Sequence, residues 1–136
     1  LQVSQTDHFQ NFIERALLYN GFYHPAKENT ITAFHRRNTM TTPLTLVATL
    51  VAKEGSEAEL EQALRGLQPQ SRAEDACIQY DFHRDAEQPR TFHMIEQWRD
   101  EASLAQHEAT PHFQAALPVI ERTAEKFSVT KMYRIS

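Results

Sequence analysis

The stretch that decides the fold is FHMIEQWRDEASLAQHEATPHF, residues 92–113. Its opening alternates, placing Phe92, Met94, Glu96 and Trp98 on one face of an extended strand and His93, Ile95 and Gln97 on the other, because successive side chains cross a pleated backbone. Asp100 is a good N-cap for a short helix through Leu104 and His107. Thr110-Pro111 repeats the signal, a capping hydroxyl followed by proline at the first helical position. A strand-borne carboxylate and tryptophan therefore face a helix-borne histidine, which is the outline of a small pocket.

Upstream, residues 77–83 also alternate, with Ile78, Tyr80 and Phe82 on one face, and a polar loop over 84–90 turns the chain into an antiparallel partner for 91–98. LTLVATLVA, residues 44–52, is bounded by Pro43 and Gly55 and reads as a strand buried on both faces. Ser56 and Glu59 stand at capping-box spacing before Leu60, Ala63, Leu64 and Leu67, an amphipathic helix whose end Gly66 and Pro69 are expected to fray or kink. Downstream, Phe113, Ala116, Leu117 and Ile120 fall at core spacing on a second helix with a kink at Pro118, and residues 128–135 form a closing strand. The order β-α-β-β-α-β, with its last helix in two pieces, predicts an α+β fold of the ferredoxin-like split βαβ type. Helices would cover one sheet face, and the apolar side chains on the other predict a homodimer.

The 136 residues divide into an N-terminal extension, 1–42, and a single domain, 43–136. In the extension Phe9, Phe12, Ile13, Ala16 and Leu17 recur at helical spacing over 7–20, followed by a linker rich in turn formers. Met40 directly precedes Thr41-Thr42-Pro43 and is a candidate natural start. The single cysteine, Cys77, excludes an internal disulfide framework and a multi-cysteine zinc site. A net charge of −4 offers no general attraction to nucleic acid or anionic lipid. No apolar run approaches the roughly 20 residues that span a bilayer, and no basic segment leads into an apolar one. Neither a nucleic-acid nor a membrane partner is expected, and the cytoplasm is the default location.

MIEQW at 94–98, the helix carrying His107, and TPHF at 110–113 resemble the antibiotic biosynthesis monooxygenase (ABM) family, most closely its small bacterial quinol monooxygenases. The resemblance spans 44–136. It implies a dimeric α+β barrel of two facing sheets, a pocket between each sheet and its helices, and, in the oxygenases, no flavin, metal or haem cofactor. Haem-degrading members share a strand tryptophan and a helix histidine, here Trp98 and His107, but also use a first-strand asparagine, and residues 44–52 contain none. The resemblance therefore favours oxidation of a small aromatic quinol or phenol by O2. A positioned base deprotonates such a substrate, which then reduces oxygen itself.

His107 is the candidate base, since imidazole titrates near neutrality; a helix-end histidine can equally cap carbonyls. Glu96, among apolar neighbours, must be paired, hydrated or functional, either orienting His107 or holding a substrate hydroxyl, or bonded structurally to a helix or to an arginine such as Arg72. Trp98, Tyr80 and Phe82 are candidate aromatic walls, and core residues on the alternative reading. Phe92, Met94, His112 and Phe113 complete the candidate lining. An Arg72 or Lys131 close to the pocket would instead favour isomerisation of a phosphorylated small molecule, and a third alternative is a dimeric ligand-binding module without turnover. No metal site is expected: His107 and His112 are five apart across a helix break, not at the i, i+4 spacing that puts two ligands on one helical face.

Overall fold

The computed structural model describes residues 42–136, so the helix expected over 7–20, its linker and Met40 lie outside the described residues. The chain runs β1 (Leu44–Ala52), α1 (Glu57–Arg72), β2 (Cys77–Arg84), β3 (Thr91–Trp98), α2 (Glu101–Glu108), α3 (Pro111–Thr123) and β4 (Ala124–Tyr133). One antiparallel sheet is ordered β2-β3-β1-β4, the ferredoxin-like arrangement anticipated from element order.

β1 is central and sets the layer. Leu44, Leu46, Ala48, Leu50 and Ala52 are buried under the helices, while the intervening residues are only half-buried. The expectation of a strand buried on both faces is thus corrected. The apolar run arises because Val47 and Val51 occupy an outer face that no other element of residues 42–136 covers. On the inner face, Leu60, Leu64 and Leu67 of α1 and Ala116 and Ile120 of α3 pack against the sheet. Each such leucine or isoleucine stabilises the fold by about 1.5–3 kcal/mol when fully buried.

Three local expectations change. Ser56 makes no side-chain cap bond, although its carbonyl accepts from the Leu60 amide at 3.0 Å, so the capping-box reading fails while the helix start holds. α1 continues through Gly66 and Pro69 to Arg72, because Leu67 and Ser71 keep its last turns docked and a proline near the end forfeits little of the hydrogen-bond ladder. In β2 a register shift between Cys77 and Gln79 throws Ile78 outward, 54% exposed, away from the face it was expected to share with Tyr80. An extra residue in one strand rotates what lies beyond it.

Candidate active site

Three chain segments meet at one end of the helical layer. α2 begins where the Asp100 carboxylate accepts from the Ser103 amide at 2.8 Å and from its hydroxyl at 2.6 Å. Two turns later it delivers His107. The Thr110 hydroxyl donates to the His107 carbonyl at 2.6 Å and accepts from the Phe113 amide, closing α2 and capping α3 with one side chain. His112 follows on the first turn of α3, and Glu74 projects from the turn between α1 and β2.

His107 is 1% exposed. Its ring lies 4.4 Å from that of Trp98, 4.9 Å from Phe113 and 5.5 Å from Tyr80, centroid to centroid. Nδ1 sits 2.6 Å from Glu74 Oε1, and the same oxygen lies 2.8 Å from His112 Nε2. A carboxylate oxygen only accepts, so both ring nitrogens donate to it. The Glu74 bond thereby fixes the His107 tautomer: the proton is on Nδ1 and the lone pair on Nε2. That Nε2 is buried and meets no hydrogen-bond partner among the described residues. Burial holds the His107 pKa below the ordinary imidazole value, outweighing the upward pull of Glu74. The neutral, proton-accepting form is therefore the one present near pH 7.

His107 lines a cavity of about 70 Å³ between the sheet and the helices. Its wall is apolar, formed by residues such as Leu46, Leu64, Met94, Phe113 and Phe127, and is interrupted by Tyr80, Glu96 and Glu108. The space accommodates several water-sized groups, about half the ~150 Å³ of a cavity that takes up benzene, so an aromatic ligand enters with some movement of the lining side chains. Glu96 is 5% exposed, and its Oε2 accepts from Trp98 Nε1 at 2.9 Å. Loss of hydration raises its pKa from 4.5 to about 7, against the lowering effect of that indole bond. Burial likewise raises Glu108 and pushes the Tyr80 hydroxyl well above the usual phenol value, so Tyr80 stays neutral.

Of the residues singled out by sequence, His107, Glu96, Tyr80, Met94 and Phe113 reach the cavity. Trp98 lies behind it, packed on His107 and bonded to Glu96. Phe82 stacks on Phe92 at 5.4 Å, and neither faces the cavity. Arg72 points outward, donating to the Tyr80 carbonyl at 3.0 Å and to Asp81 at 2.7 Å, so it is not the partner of Glu96. The five-residue spacing of His107 and His112 was expected to separate them, and the structure overturns that: the helix break at Thr110 folds both rings onto Glu74. Glu74 itself went unnoticed. It sits in an ordinary polar run, AEDA at 73–76, and only the packing of α1 against α3 brings it under His107.

The profile of the antibiotic biosynthesis monooxygenase (ABM) family matches residues 43–118. A Bacillus subtilis relative named "Putative monooxygenase YcnE" is 35% identical over 71 residues, which are 52% of this chain and 75% of that protein. The crystal structure of PA3566 from Pseudomonas aeruginosa superposes with a TM-score of 0.70 at 42% identity, covering 73% of this chain and 100% of that one. A crystal structure of an antibiotic biosynthesis monooxygenase gives 0.65 at 30% identity, over 68% and 99% of the two chains.

Proposed function

Because the chain belongs to the antibiotic biosynthesis monooxygenase family, we propose that it oxidises a small phenol or hydroquinone with O2, using His107 as base and no bound organic cofactor. The observation that carries this reading is the buried His107 Nε2, held as an acceptor by Glu74 and lining an apolar cavity. A phenolic hydroxyl placed there gives its proton to Nε2. The resulting anion is a far better electron donor, so it transfers one electron to O2 and the two radicals join at a ring carbon as a peroxide. Cleavage of the O–O bond with loss of that carbon's hydrogen yields the quinone carbonyl and water, so a phenol and O2 become a quinone and H2O. Proton transfer of this kind contributes roughly 10²–10⁴-fold to rate, and the dry wall protects the radical pair from solvent.

Glu96 is the acid in this scheme. With its pKa near 7 it retains a proton in much of the neutral range and can give it to the departing oxygen. Glu74 is a positioning residue and Trp98 an aromatic backing for His107. Two carboxyl groups, Glu96 and Glu108, and the outward course of Arg72 make the cavity hostile to a phosphorylated ligand. Lys131, paired with Glu101 at 3.6 Å, does not line the cavity either. Among the described residues the cavity wall thus holds no cation for the isomerase reading.

An oxygen electrode decides the matter with a panel of dihydroxynaphthalenes and menadiol, corrected for autoxidation. Uptake above the buffer rate for at least one member is expected. Tight quinone binding with no uptake across the panel would replace the enzyme by a ligand-binding module.

A further inference from the structure

Glu74 Oε1, His107 Nδ1 and His112 Nε2 all lie within 4.8 Å of one another. Two imidazole nitrogens and one carboxylate oxygen are a donor set suited to Zn²⁺ and its divalent neighbours, which bind nitrogen and oxygen at about 2.0–2.2 Å and leave a position open beyond three protein ligands. Ligand atoms around such an ion stand about 3.3 Å apart in a tetrahedron. Here the oxygen is 2.6 Å from one nitrogen and 2.8 Å from the other, so entry of an ion requires the carboxylate to retreat by about 0.5–0.7 Å and the two rings to settle around the ion. Glu74 emerges from a turn and its side chain is 18% exposed, as His112 is 14% exposed, which gives both the freedom to move and a route from solvent. The Glu74 carboxylate offers an oxygen donor and the two imidazoles offer nitrogen donors to one ion. Trp98 and Phe113 pack on the His107 ring and hold it in place, while the 3.2 Å contact of Thr110 Oγ1 with His112 Nε2 gives way when that nitrogen binds the ion.

We propose that Glu74, His107 and His112 bind one divalent transition-metal ion of the Zn²⁺ class, and that occupation switches off the cavity base. The switch follows from the tautomer. The metal-free cluster keeps the His107 proton on Nδ1 and the lone pair on Nε2. A metal on Nδ1 needs a lone pair at that nitrogen, so the Nδ1 proton leaves and the one proton of the neutral imidazole resides on Nε2. Nε2, the nitrogen read as the base, becomes a donor and cannot accept a substrate proton. The ion arrives from the surface side, so it need not compete with substrate for the cavity. The loss of turnover rests on the reading of His107 as base; the binding does not.

Zn²⁺ alone is the probe, with Co²⁺ to report coordination by its visible absorption. Equilibrium dialysis of the full chain should show one ion per chain that is lost, or weakened at least about tenfold, in Glu74→Gln and in His112→Ala. His83→Ala, on the far side of the sheet, should keep it. The comparison separates this site from the five other histidines of the sequence, seven less these two. Equal binding by all four proteins overturns the site. Nitrogen-15 NMR of the wild-type imidazoles needs no variant: Zn²⁺ should move the His107 proton from Nδ1 to Nε2, and an unmoved proton overturns the switch. Where NMR shows the site filled, oxygen uptake should fall; undiminished uptake sinks the base reading while leaving the metal site standing.

Discussion

Replacing Glu96 by glutamine should stabilise the protein at alkaline pH and leave it little changed in mild acid. In the unfolded chain this carboxyl titrates near 4.5, whereas in the fold burial retains its proton up to about 7. Below 4.5 both states are protonated and the group contributes nothing that varies with pH. Between 4.5 and 7 the unfolded chain releases a proton that the folded one keeps, so stability falls as pH rises. Above 7 both are ionised, and the accumulated loss is about 3 kcal/mol, from about 1.4 kcal/mol per tenfold change in proton affinity. Glutamine does not titrate, and its carbonyl oxygen still accepts from Trp98 Nε1. Urea unfolding of both proteins from about pH 4.5 to about pH 8 isolates the effect, because titrating groups remote from Glu96 cancel in the difference. The variant should gain about 3 kcal/mol relative to wild type across that range. A flat difference, or one that grows towards acid, would falsify the account of Glu96 as a carboxyl held protonated by burial.

Other outcomes follow from the same contacts. Trp98→Phe removes the indole donor that holds Glu96 down, so the Glu96 pKa should climb further above 7, read by carbon-13 NMR titration; a fall contradicts the bond. Asp100→Ala deletes the α2 cap and should cost about 1 kcal/mol in urea unfolding. An unchanged midpoint would show that α2 is held by packing alone. The outer sheet face carries Val47, Val51 and Ile95 with no covering element among the described residues, so sedimentation should find a dimer at micromolar concentration. A stable monomer there removes the case for a second sheet closing that face.

The fold was legible because its signals are local. Alternation over 91–98, the Asp100 and Thr110 caps and the Leu60-Leu64-Leu67 stripe each specify an element without reference to distant residues, and the element order then leaves few topologies. Side-chain capping by Ser56 and the orientation of Ile78 were not legible, since the first depends on an actual backbone conformation and the second on a bulge that only strand pairing creates. At the site, Glu96 announced itself as a polar group on an apolar face, and His107 as an imidazole at the position the family resemblance marks. Glu74 carried no such mark, because its role comes from a contact spanning 33 positions in the chain. Spacing alone also misjudged His112. The i, i+4 rule applies within one helix, and a break that redirects the chain can converge two residues that the rule separates.

The proposal stands or falls on His107 Nε2 as the proton acceptor. The direct measurement is steady-state oxygen consumption by wild type and His107→Gln on the most active hydroquinone, with autoxidation subtracted and the variant's fold verified by circular dichroism. The account predicts that kcat falls on the order of 10²–10⁴-fold. A correctly folded variant that consumes oxygen as fast as wild type contradicts it.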